Sequence, residues 1–152
     1  MKVRESKKMS GGGLRRRSRE MALQLLFQTE FLASGELDPK QADGMARRFI
    51  QHFEVPADVS EYGTDLFVGI ASRMEEIDSA IQSNSSHWKT SRMGLVDLSV
   101  MRIAVFEMKM MKPAIPPSVA INEAVELAKQ FGSTESGAFV NGILDNLAKG
   151  IA

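Results

Sequence analysis

Cysteine is absent from the chain. That excludes disulfides and thiolate-held metals, and it fits a reducing compartment such as the cytoplasm. The two histidines, His52 and His87, stand alone and far apart, so no paired-imidazole or HExxH metal site is available. No stretch approaches the ~18 consecutive apolar residues that a membrane-spanning helix needs. The opening residues, Met1-Lys2-Val3-Arg4-Glu5-Ser6-Lys7-Lys8, are charged and lack the apolar run of a secretory signal. Gly11-Gly12-Gly13 follows no strand and leads into no Gly-Lys-Ser/Thr, so it is not a phosphate loop. No acidic residue pairs with a neighbouring His, Ser or Cys nucleophile, and period-2 alternation is missing. The expectation is an all-α protein that is not an enzyme, holds no cofactor or metal, and does not enter a membrane.

What the chain does have is a charge split hidden under a formal net charge of zero. Residues 1–20 carry eight Lys or Arg against two acids, a balance of +6; the rest carries −6. The positive charge peaks in Arg15-Arg16-Arg17-Ser18-Arg19. A compact arginine block on an otherwise acidic domain suits a polyanion, nucleic acid above all.

At 152 residues, 43% apolar and 25% charged, the chain is expected to form one globular domain over residues 14–152. Residues 1–13, basic and glycine-rich, are expected to be a flexible tail. Leu14, Ala22, Leu25, Thr29 and Leu32 make one helical stripe, and Leu23, Phe27 and Phe31 make a second on nearly the opposite side. A helix apolar on two sides is central in a bundle or meets a partner. Asp38-Pro39 opens a second helix with Asp as N-cap. A third spans about 59–83, with Leu66, Ile70, Met74, Ile77 and Ile81 in register. A fourth covers about 94–111. A fifth starts near Ser118 after Pro113, Pro116 and Pro117 and ends at Gly132. A sixth starts near Glu135.

Four arginines at a helix start oppose the helix dipole, and a bound anion would relieve the conflict. On a helical wheel the block presents charge all round. The bland alternative is a solvated helix start. Phe27 shares a face with Arg16, where it either stacks an unpaired base or fills the core. Trp88 reads as a loop anchor packed onto the bundle. Asn122 and Asn141, inside otherwise apolar helices, read as structural hydrogen-bonding residues.

Motifs then narrow the reading. Pro117-Ser118-Val119-Ala120-Ile121-Asn122-Glu123-Ala124-Val125-Glu126-Leu127-Ala128-Lys129, followed by Phe131-Gly132 and Phe139-Val140-Asn141-Gly142-Ile143-Leu144-Asp145, resembles the NusB family of transcription antitermination factors. The arginine block with Ala22-Leu23-Gln24 and Phe27 resembles that family's N-terminal motif. Trp88, Arg92, Asp97 and Arg102-Ile103-Ala104-Val105-Phe106-Glu107 resemble its fourth-helix signature. The resemblance implies two helical bundles and binding of boxA-type single-stranded RNA. It also implies pairing with NusE, a small-subunit ribosomal protein, in an RNA polymerase complex that resists termination. It carries RNA contact over to Arg15, Arg16, Arg17, Arg19, Gln24, Phe27, Glu135 and Phe139. Three departures stand out: Phe27 occupies a position often held by Tyr, Glu135 stands where Asp is common, and Gly137-Ala138 replaces residues that are often bulkier and basic. Two rival readings remain. One is the RNA-binding module of ribosomal RNA cytosine methyltransferases, whose chemistry needs a cysteine and a cofactor domain. The other is a homodimeric scaffold that buries its arginines at the dimer interface.

Overall fold

The computed structural model describes residues 11–30 and 36–151. Seven α-helices and no strand occur among them: α1 (Gly11–Thr29), α2 (Pro39–Phe53), α3 (Ala57–Ala71), α4 (Met74–Ser83), α5 (Leu95–Lys109), α6 (Pro117–Phe131) and α7 (Ser136–Ala148). The all-α expectation therefore holds. The chain divides into two compact units, Met1–Arg73 and Met74–Ala152, two bundles as the resemblance implies.

Two boundaries differ from the sequence reading. Gly11-Gly12-Gly13 is the first turn of α1, not the end of the expected tail, whose residues 1–10 lie outside the described ones. The expected third helix is two helices, α3 and α4, broken at Ser72-Arg73. There the Ser72 hydroxyl donates to the Val68 carbonyl at 2.6 Å, and the Ser72 N–H turns back onto Val68 and Ile70. The apolar stripe runs through this break in register, so it hid a stop that uses neither Gly nor Pro. Phe31 and Leu32 lie outside the described residues.

In the first unit α1 is buried on more than one side, as its two stripes predict. Met21, Ala22, Leu23, Leu25 and Leu26 are at most 2% exposed. Ser18 is fully buried, its hydroxyl 2.8 Å from the Val59 carbonyl of α3. The two helices approach closely because α3 carries glycine at the crossing. A Cβ on Gly63 would meet the Met21 sulfur at 2.6 Å and the Ser18 carbonyl oxygen at 3.2 Å. Overpacking of this kind costs typically 1–3 kcal/mol, more than the ~1 kcal/mol a helical Gly→Ala exchange returns. Gly63→Ala is therefore expected to lower the melting temperature by several degrees; an unchanged or raised value would refute the close-packing argument. α2 opens as expected. Asp38 accepts from the Gln41 N–H at 2.8 Å while the Gln41 side chain accepts from the Asp38 N–H at 3.2 Å, a reciprocal cap with Pro39 at the first helical position.

In the second unit α5 is the central helix. Leu98, Val100, Met101, Ile103, Ala104, Val105 and Met108 are buried, and so are Arg102 and Glu107. Arg102 reaches α4, where its Nε and Nη2 donate to the two carboxylate oxygens of Asp78 at 2.8 and 2.9 Å. Ser99 is fully buried, and among the described residues its hydroxyl has no hydrogen-bond partner. An unsatisfied buried hydroxyl is costly, so Ser99→Ala should raise the melting temperature by a few degrees; a lower value would show that the hydroxyl is held. The turn from α6 to α7 is tight. The Ser136 hydroxyl accepts from the Ser133 N–H at 2.9 Å, and a Cβ on Gly132 would strike the Ala128 carbonyl oxygen at 2.7 Å. Asn122 and Asn141 correct the sequence reading. Both are exposed, and neither side chain makes a hydrogen bond among the described residues. Asn122 lies on the far side of α6 from buried Ala120, Ala124 and Leu127.

Candidate nucleic-acid interface

The arginine block lies on α1 in the first unit and is not uniformly exposed. Arg15 is exposed and Arg16 half-buried, whereas Arg17 and Arg19 are only 5% and 3% exposed. Charge all round the helix is thus corrected. The cause is the helix start at Gly11: it sets the arginines in the second and third turns, where long aliphatic stems pack. The dipole conflict weakens for the same reason, since that field fades beyond the first turn.

Arg15 and Arg19, four residues apart, share one face and one support. The Arg15 guanidinium lies 3.8 Å from the centre of the Tyr62 ring on α3, and the Arg19 guanidinium lies 5.9 Å from it. A guanidinium laid on a ring is attracted by the ring's negative face. Its N–H donors lie in its own plane, so stacking leaves them free for the paired bonds that phosphate accepts. Arg15 makes no ion pair among the described residues, so its charge is available. Sequence reasoning missed Tyr62, because the register of α1 on α3 is a tertiary fact. Gln24 and Phe27 are half-buried farther along α1. A hollow of about 860 Å3 between Leu37, Met45, Phe49 and Phe53 is lined on α1 by Gln28. That is thirteen residues from Arg15, roughly 20 Å along a helix.

Glu135 and Phe139 belong to the second unit. Glu135 is exposed at the start of α7, and Phe139 is half-buried one turn later. Phe139 meets Trp88 edge to face, with ring centres 5.8 Å apart and planes at 88°. Trp88 packs onto the bundle through this contact, as the loop-anchor reading expects, and is still 53% exposed. The two rings border a hollow of about 170 Å3 shared with Arg92, Asp97, Ser133 and Glu135. A Cβ on Gly137 would meet the Lys129 stem at 3.1 Å. The glycine thus lets an α6 lysine pass over the place where a basic side chain was expected. No cluster of His, Asp or Glu that could hold a metal occurs among the described residues, and no helix among them is long and apolar enough to cross a membrane.

Comparison with known proteins agrees with this architecture. The NusB family profile matches residues 16–149. The transcription antitermination protein NusB of Bdellovibrio bacteriovorus is 44% identical over 137 residues, 89% of this chain and 95% of that protein. The NusB of Bacillus mycoides is 44% identical over 133 residues, 88% of this chain and 95% of that protein. Among solved structures, T. maritima NusB superimposes with a TM-score of 0.72 at 32% identity, covering 90% of this chain and 91% of that one. A structure of NusB and NusE with double-stranded RNA gives 0.74 at 24% identity over 90% and 97%, a likeness of fold.

Proposed function

Because the chain belongs to the NusB family, we propose that it is a cytoplasmic, non-enzymatic antitermination factor that binds boxA-type single-stranded RNA together with NusE. The observation that carries the RNA-binding role is Arg15, an exposed guanidinium pre-set on the Tyr62 ring. Arg15 and Arg16 supply phosphate contacts and draw RNA in. Phe27 and Phe139 stack unpaired bases, and Lys129 stands in for the missing basic residue beside Phe139. The acidic remainder of the chain repels non-cognate RNA and faces a basic ribosomal protein. Gln24 and Glu135 act from the rims of the two surfaces, while Arg17 and Arg19 act by holding α1 in place.

The test is a titration of boxA-type RNA into the protein, with and without NusE, at two salt concentrations. Affinity is expected to fall steeply with salt, by a slope of about −0.7 per phosphate contact on a single strand, and to tighten when NusE is present. Affinity that ignores salt would refute the arginine grip.

A further inference from the structure

We propose that the corner formed by Trp88, Phe139 and Asp97 is a slot for one unstacked nucleobase, and that Asp97 makes it prefer bases carrying an exocyclic amino group. The proposal rests on the reading above that the ligand is RNA; it adds a specificity-determining site to it.

The first argument is the cost of the exposed indole. Trp88 is the chain's single tryptophan and one of two exposed large apolar residues among those described. Leaving so large a ring half in water forgoes the burial that would stabilise the fold. Nor is it loose. The Trp88 carbonyl accepts from the Gln82 side-chain amide at 2.9 Å and from the Ser85 hydroxyl at 3.0 Å. The same Gln82 side chain accepts from the Thr90 N–H at 2.9 Å. The Trp88 N–H donates to the Ser85 carbonyl at 3.3 Å, so the loop backbone is pinned before and after the ring while the ring itself stays open. Such pre-organisation lowers the entropy lost when a ligand stacks there.

The second argument is shape. Phe139 meets Trp88 perpendicularly. In a perpendicular pair one ring offers only its edge, so an aromatic face remains for a third ring. The hollow beside them, about 170 Å3, admits one planar heterocycle and no element of secondary structure.

The third argument is charge. The hollow is bordered by Asp97 and Glu135, with Arg92 also on its lining. Asp97 is half-buried in the first turn of α5. A carboxylate accepts hydrogen bonds and repels phosphate, so the base and not the backbone suits the interior. Cytosine and adenine present amino donors that Asp or Glu accepts; uracil presents a carbonyl there. Arg92 is left to meet the flanking phosphate.

The single tryptophan makes the test direct. Labelled oligo(C) and oligo(U) of equal length are titrated into the full chain, following both anisotropy and Trp88 emission. Trp88 emission should change with the same dissociation constant that anisotropy reports. Trp88→Ala should weaken binding roughly 5- to 100-fold, the effect of one lost base stack, and Trp88→Phe should recover most of it. Oligo(C) should bind more tightly than oligo(U), and Asp97→Ala should erase that preference with its melting curve still cooperative. If anisotropy shows binding while emission is silent and Trp88→Ala binds like the parent, the slot is refuted and the RNA role stands. Equal affinity for both oligonucleotides refutes the amino preference. Emission that responds to NusE alone assigns the corner to a protein contact and overturns the proposal. If no RNA binds at any salt, the functional reading falls and the slot with it.

Discussion

Replacing Asp78 by alanine should destabilise the second unit by about 3 kcal/mol and lower the melting temperature by roughly 6–12 °C. The reason is the asymmetry of a buried ion pair. Arg102 leaves only 6% of its side chain exposed and Asp78 leaves 26%. Removing the carboxylate takes the two-pronged acceptor away from a charge that water cannot reach. The low end of the usual range applies because Asp78 is partly open. The pair itself need not be worth that much: apolar groups of similar size in both places often do as well. The double replacement Asp78→Leu with Arg102→Met is therefore expected to recover most of the lost melting temperature. An Asp78→Ala variant melting within a degree of the parent would show that the bridge holds nothing. The bridge pins α4 to the centre of α5, the helix whose first turn carries Asp97. Urea unfolding of the same variants checks the free energies independently of temperature.

This bridge also shows how far the sequence can be read. Arg102 was visible as part of a family motif, and Asp78 was visible as a polar residue between Ile77 and Ile81. Nothing local joins residues 24 positions apart. Periodicity and cap signals located the helical stretches, because apolar stripes, the Asp38-Pro39 start and the prolines before α6 are local, but they merged α3 and α4 into one. Periodicity failed at Ser72, where the stripe ran on through the break. It placed Arg15 and Arg19 on one face, which is arithmetic, but not on Tyr62, which depends on the way α1 packs on α3. It reads Trp88 as a loop anchor but gives no measure of its exposure, because a lone aromatic in a loop has no period to judge by. Asn122 was open to correction from the wheel alone. Two residues from each of Ala120 and Ala124, it points away from both, and its apolar neighbours in sequence are not its neighbours in space.

Burial divides the arginine block, and the division has a measurable consequence. Arg15→Ala should weaken boxA-type RNA binding about ten-fold at low salt, the loss of a charge-assisted bond of roughly 1.5 kcal/mol. It should also flatten the salt dependence by about 0.7. Its melting temperature should hardly move, because the side chain is exposed and rests on one face of Tyr62. Arg17→Ala and Arg19→Ala should do the opposite. Their stems are buried, so truncation leaves unfilled space in the first unit and lowers the melting temperature. Well below melting, their salt slopes should match the parent's. The sequence alone treats the four guanidiniums as one grip; the structure predicts two classes, one facing the ligand and one holding the helix that presents it. If Arg17→Ala and Arg19→Ala flatten the salt slope as much as Arg15→Ala and leave melting unchanged, that division is wrong. The whole block would then turn outward to meet RNA.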